Sequence, residues 1–485
     1  MNGTHRTRRR FLQHIGLGIL SAPAGISLGA SVASSIAKRP NILLIITDQQ
    51  SASMLSCAGN RWLKTPAMDS VMKRGMRFER AYATNPVCIP SRFSLMTGHY
   101  PSAVRIRKNR NSNLAARFLP TTLGRVFKGA GYDTVYGGKV HLPSPMRRVT
   151  DCGFRLLTSD ERDILADECV RFLLSTQVRP FFLVASFINP HDICYQAIRA
   201  CDGRRKMNSR AIRAIEVMRE AEKTPRSVSE DEFYAKHCPP LPDNHEPTEP
   251  EPKAITEFID RDPVKRYVRE NWTGRDWRLH RWTYARLTER VDDQIGRVLG
   301  AVRKAGLEDN TVVIITSDHG EMDGAHRIEQ KSLAYEQSAN VPLLVQYPPL
   351  TEPGLVDREH VVSNGLDIFP TLCDIAGIAG PPDLPGRSFK ALLGSARKAP
   401  WREYLMIETE PAYALTDGRF KYTLFDFAGP EEMLCDLKRD PGEMKNLVAD
   451  PHNGGTLSRM RAGLTAEAKK QGHKIQFPIH DVGGY

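Results

Sequence analysis

Cys88 stands in the stretch Asn85-Pro86-Val87-Cys88-Ile89-Pro90-Ser91-Arg92. Prolines on both sides fix the backbone and remove two amide donors, so this is not the interior of a strand. Arg92 to Thr97 reads as the first turns of a helix, which puts Cys88 beside the amino end. Helix amino ends attract anions and acidify thiols. Cys88 is therefore either a nucleophile or a small buried residue in a turn, and residues elsewhere in the chain must separate the two readings.

Four continuous apolar runs help to do so. After "NILLII" come Thr47, Asp48, Gln49 and Gln50, and "DTVYGG" leads to Lys139 and His141. "FFLVASFI" runs into Asn189, Pro190, His191 and Asp192, while "NTVVIIT" gives way to Ser317, Asp318, His319 and Gly320. Each run suits a strand buried on both faces, and in parallel sheets chemistry gathers beyond the carboxyl ends of such strands. Any one aspartate there reads as a helix cap, and any one histidine as structural. Together they read as a site. Asp48, Gln49 and Asp318 offer hard oxygens for a divalent cation, and His319 adds a nitrogen. Lys139, His141, His191 and Lys331 offer positive charge or protons for transfer to an anionic group.

The surroundings agree. A chain of 485 residues with 41% hydrophobic and 26% charged residues is globular and long enough for two or three domains. A net charge of +12 favours anionic substrates or surfaces. No aromatic-and-basic recognition motif or zinc finger points to nucleic acid. None of the nine cysteines forms a CxxC pair, and the odd count leaves at least one thiol without an intrachain partner. At the amino terminus "TRRRFLQ" precedes a short apolar run and the small residues of "SVASS". That reads as an export signal over residues 1–36, too short to span a bilayer, with paired arginines resembling a twin-arginine signal. The mature protein is expected in the periplasm or outside the cell, without stable membrane insertion.

Apolar runs alternate with helical stretches, which predicts an α/β fold: a large, mainly parallel sheet sandwiched by helices over residues 37–395. A smaller α+β domain is expected over 396–485, with an antiparallel sheet around a hairpin at Asp417-Gly418. Residues 193–281 form an irregular insertion. In it Trp272, Trp277 and Trp282 recur at spacings of five among arginines. With those arginines they would suit a rim for an anionic ligand, but packing of a helix into the domain is the preferred reading.

Cys88-Ile89-Pro90-Ser91-Arg92 resembles the Cys-x-Pro-Ser-Arg signature of the sulfatases. "TDQQ", "GKVH", "NPHD", "SDHGEMDGAH", Lys331, "NGLDIFPTLCDIAGI" and "MLCDLKRDPGEMKNL" resemble further motifs of the family in the same order. The resemblance spans about Asn41 to about Leu447 and implies an alkaline phosphatase-like fold. It also implies that a formylglycine-generating enzyme oxidises Cys88 to 3-oxoalanine (formylglycine), whose hydrate attacks the ester. By position, Asp48, Gln49, residue 88, Asp318 and His319 would hold one divalent cation, calcium being favoured over Mg2+ or Mn2+. Arg92 and Lys139 would hold the hydrate, His141 would assist sulfate release, and His191 and Lys331 would grip the sulfate and help the leaving oxygen depart. Gln49 and His319 replace an aspartate and an asparagine of many relatives, as in the branch with choline sulfatases and phosphonate monoester hydrolases. The expected function is hydrolysis of sulfate monoesters carried on a carbohydrate. The alternatives are phosphonate or phosphate ester hydrolysis with the same nucleophile, and an inactive secreted protein that binds anionic glycans.

Overall fold

A computed structural model describes residues 39–203, 206–394, 400–427 and 429–473. The expected signal at 1–36 and the expected domain boundary at residue 395 lie outside the described residues. Among the described residues fourteen strands run in chain order: β1 Asn41–Asp48, β2 Met76–Phe78, β3 Ala81–Tyr82, β4 Asp133–Gly138, β5 Arg155–Thr158, β6 Phe181–Pro190, β7 Thr311–Ser317 and β8 Leu343–Gln346. Then follow β9 Leu355–Asp357, β10 Val362–Ser363, β11 Leu405–Glu408, β12 Ala412–Thr416, β13 Phe420–Phe425 and β14 Glu431–Asp436.

The main sheet has the order β5-β4-β6-β1-β7-β8-β2-β9. Its central strands are parallel, while β8 pairs antiparallel with both β7 and β2. The continuous apolar runs are explained by burial on both faces. Ile42, Leu44 and Ile46 of β1 join one core with Phe182, Val184, Val312 and Ile314. The intervening Leu43 and Ile45 join a second core with Phe181, Leu183, Val313 and Ile315 on the opposite face. Each such side chain contributes about 1.5–3 kcal/mol on burial, so the register of the three central strands is strongly fixed. That register brings the carboxyl ends of β4, β6, β1 and β7 side by side.

The Cys88–Thr97 helix starts four residues earlier than its sequence suggests, with Val87 as N-cap. Pro90 is then in the first turn, where its missing N–H has no intrahelical partner to lose. This helix is buried along its whole length and crosses the Asn364–Ala376 helix. Gly365 allows the crossing: a Cβ there would lie 2.7 Å from Ser94 Cβ.

β11 to β14 make an antiparallel meander. Its β12–β13 hairpin turns at Asp417-Gly418 as the sequence predicts, Gly418 taking φ +86°. The aspartate Oδ1 accepts from the Arg419 and Phe420 amides at 2.9 and 2.7 Å. Within the insertion, the tryptophans follow the packing reading. They belong to or abut a 31-residue helix, Gly274–Lys304, whose Trp277 and Trp282 are 1% and 8% exposed. The Trp272 ring lies edge-on to Trp277 at 4.8 Å. Among the described residues no helix is long and apolar enough to cross a membrane.

Candidate active site

The four strand ends meet around Cys88. Asp48 closes β1, Asp318 follows β7, Lys139 follows β4 and His191 follows β6. Arg92, one helical turn beyond Cys88, ties them together. Its Nε donates to Asp318 Oδ2 and one terminal nitrogen to Asp48 Oδ2, both at 2.8 Å. The other terminal nitrogen donates to Ser186 Oγ at 2.9 Å and to the Lys139 carbonyl at 3.1 Å. Lys139 Nζ also pairs with Asp48 Oδ2 at 2.5 Å. Two buried carboxylates thus face three buried cations, Arg92, Lys139 and Lys331. Such a set suits an anionic substrate.

Around the sulfur, His319 Nε2 lies 3.1 Å from Cys88 Sγ, Lys331 Nζ 3.3 Å and Lys139 Nζ 3.9 Å. His319 Nδ1 faces the Gly320 carbonyl at 2.9 Å, an arrangement that leaves Nε2 as the unprotonated, ligand-type nitrogen when the ring is neutral. Burial and Asp48 push the Cys88 thiol pKa up. Lys139, Lys331 and His319 outweigh them, and the net displacement is well downward. His191 is half-buried; burial and then Lys139 and Lys331 outweigh Asp48 and hold its imidazole well below the usual range, neutral at neutral pH.

Ligand-type atoms of Asp48, Cys88, Asp318 and His319 all lie within 4.8 Å of one another. Asp48 Oδ1 is buried without a hydrogen-bond partner, as expected of an oxygen awaiting a cation. Two carboxylates and an imidazole fit a divalent cation. A sulfur is too soft a fourth donor for calcium, whereas an oxygen-bearing residue 88 would make the set hard.

Gln49 is beside this cluster with its amide turned to other partners. Its Oε1 accepts from Lys331 Nζ at 2.5 Å, and its Nε2 donates to Glu321. Its backbone takes φ +68°, held by its N–H donating to Asp318 Oδ1 at 3.1 Å and its carbonyl accepting from Tyr284 Oη at 2.7 Å. His141 is exposed, with φ +42°, and stands outside the interlocked set.

Several contributors escaped the sequence reading. Ser186 sits inside a strand and looked like apolar filler. Asn109 Oδ1 accepts the Ile89 amide at 2.9 Å and so steadies the turn at Cys88. Glu321, two residues past His319, looked like a solvated loop acid but is fully buried. Beside Lys331 opens a cleft of about 880 Å³ whose lining includes Val87, Lys108, Arg261, Lys265 and Phe427. Its walls therefore come from the segment before Cys88, the insertion and the loop after β13.

A buried cysteine at a helix start, a donor cluster fit for a cation and positive side chains gathered at strand ends suit the hydrolysis of an anionic ester. The chain belongs to the sulfatase family: residues 40–378 match its profile, described as Sulfatase. Residues 324–470 match the profile described as N-sulphoglucosamine sulphohydrolase, C-terminal. A Delta 4,5-hexuronate-2-O-sulfatase from Bacteroides thetaiotaomicron is 28% identical over 503 residues, covering 95% of this chain and 98% of its own. The solved structure of a 2-O GAG sulfatase matches with TM-score 0.74 and 25% identity, over 91% of this chain and 95% of that one. The phosphonate monoester hydrolase of Agrobacterium radiobacter shares the fold, with TM-score 0.68 and 23% identity over 89% of this chain and 96% of that one.

Proposed function

We propose that this sulfatase hydrolyses sulfate monoesters carried on a sugar, with residue 88 converted from cysteine to formylglycine and one divalent cation beside it. The observation that carries the reading is the convergence of Asp48, Cys88, Asp318 and His319 within 4.8 Å, with Lys139 and Lys331 against the same sulfur. When bound, the cation supplies Lewis-acid polarisation of the ester oxygens, and formylglycine supplies a hydroxyl nucleophile. The chain's own residues do the rest. Asp48, Asp318 and His319 would hold the ion, calcium being favoured by the hard donors, and Arg92 fixes the orientation of both carboxylates. Lys139 and Lys331 draw the anion onto residue 88 and stabilise charge on its oxygens. His191, neutral at working pH, and Lys331 stand where hydrogen bonds can reach the departing oxygen. His141 would act in sulfate release only if its loop folds inward.

The cleft supports a sugar. Lys108 and Arg261 provide anion-binding groups, and Phe427 and Phe258 apolar surface. Names of the relatives point the same way: one acts on a hexuronate and another on a GAG. The basic, apolar and small-residue order of residues 1–36 supports export by a twin-arginine-like route, after a formylglycine-generating enzyme has acted on the unfolded chain.

Mass spectrometry of the peptide containing residue 88, combined with kinetics on paired sulfate and phosphonate esters, tests the reading. Formylglycine and a preference for sulfated saccharides are expected. An intact thiol in active native protein overturns the nucleophile, and a preference for phosphonates overturns the substrate class.

A further inference from the structure

The Gln49 amide has two nearly isosteric ends, and its neighbours decide which end faces the site. At one end is Lys331 Nζ, which can only donate; at the other is Glu321, which as a carboxylate can only accept. Oε1 takes the lysine at 2.5 Å, and Nε2 gives its proton to Glu321 Oε2. A flipped amide would set an NH2 against an ammonium and a carbonyl against a carboxylate. Cys194 Sγ also touches the amide, at 3.0 Å from Nε2 and 3.3 Å from Oε1, but a thiol serves either end weakly and imposes no choice.

Glu321 is itself fixed. It has no exposed surface, and its Oε1 accepts the Gln330 amide at 2.5 Å and the Asp323 amide at 3.3 Å. His280 of the insertion helix brings Nε2 to 3.6 Å of the same oxygen. The Gln330 contact matters because Lys331 hangs between two residues in the left-handed region, Gln330 at φ +64° and Ser332 at φ +95°. Such backbone persists only when its surroundings hold it. Glu321 therefore grips Lys331 twice, once through the peptide before it and once through the amide that holds its ammonium. That ammonium is 3.3 Å from Cys88 Sγ.

We propose that Glu321 is a positioning residue for the reaction: it sets the orientation of the Gln49 amide and, through it and Gln330, aims Lys331 at residue 88. The inference rests on the proposed sulfatase reading.

The test uses wild type, Glu321→Gln, Gln49→Glu and the swap Gln49→Glu/Glu321→Gln, each alone and the first two also with Lys331→Ala. All are produced with the formylglycine-generating enzyme, matched for conversion by mass spectrometry, and assayed on an aryl sulfate and by thermal melting. Glu321→Gln is expected to lower kcat about 10–100-fold with KM little changed, the range for residues supporting a site from behind. In the Lys331→Ala background the same change should cost less than about twofold, because its route runs through Lys331. Gln49→Glu sets two carboxylates face to face; the swap restores one donor and should recover about tenfold in kcat and most of the lost melting temperature. An undiminished effect of Glu321→Gln without Lys331, or a swap no better than the sum of its parts, overturns the proposal. If fully converted wild type hydrolyses no sulfate ester, the sulfatase reading falls, and the melting arm alone then judges the Glu321–Gln49 coupling.

Discussion

Arg92 satisfies Asp48, Asp318, Ser186 and the Lys139 carbonyl through all three of its nitrogens. Lysine carries the same charge but cannot reproduce that planar fork. Arg92→Lys should leave at least one buried carboxylate oxygen without its donor, at a cost of about 1–3 kcal/mol. Thermal melting with and without calcium checks this. On the proposed metal site the loss should shrink when calcium is added, because a bound ion would neutralise the same carboxylates, and it should be accompanied by a fall in kcat/KM even at saturating calcium. A variant that melts like wild type without calcium would show that the two aspartates need no help from Arg92. The residues named at this scale were legible where chemistry showed in the residue type: an aspartate, lysine or histidine directly after an apolar run. Glu321 and Ser186 were not, because an acid in a loop and a serine in a strand have ordinary explanations until tertiary burial removes them.

At the scale of elements, the site depends on the crossing of the Cys88–Thr97 and Asn364–Ala376 helices. A Cβ on Gly365 would meet Ser94 Cβ at 2.7 Å and both Cγ2 and Oγ1 of Thr84 at 3.1 Å. Gly365→Ala should force the helices apart and cost about 1–3 kcal/mol. Because the displaced helix carries Cys88 and Arg92, kcat should fall along with melting temperature. Gly463→Ala provides the contrast: its Cβ would press on Leu415 at 2.9 Å, in the C-terminal sheet away from the catalytic cluster. It should lower the melting temperature and spare kcat in the folded enzyme. Loss of kcat in both, or in neither, would argue against a helix crossing that sets the nucleophile's position. The central strands were legible because burial on both faces leaves an uninterrupted apolar run. The Asp417-Gly418 hairpin was legible from its turn chemistry. The helices of the insertion were less so: they pack against distant segments, and no short-range pattern states which cleft wall they will build.

At the scale of the whole molecule, a second buried charge centre ties the C-terminal sheet to the rest of the fold. Lys421 of β13 is fully buried and pairs with Glu336 at 2.9 Å and Glu443 at 2.8 Å, joining the C-terminal sheet to the segment that follows Lys331. Burial pushes the Glu443 carboxyl up from 4.5 to about 7, even though Lys421 pulls against it. An acid whose folded value is raised binds its proton more tightly in the folded state, so its contribution to stability is lost as pH rises from about 4.5 through about 7. Lys421→Met removes the opposing charge and pushes the carboxyl further up, so the loss must continue into the alkaline range. The variant should therefore come closest to wild type at about pH 5 and fall furthest below it at about pH 8. One pH unit above the wild-type value, the raised Glu443 carboxyl widens the gap by about 1.4 kcal/mol. Melting curves of both proteins across that range decide the matter. A constant gap would mean that Lys421 contributes packing alone, whereas a widening one makes this buried triad the pH-sensitive joint between the C-terminal sheet and the cleft it helps to wall.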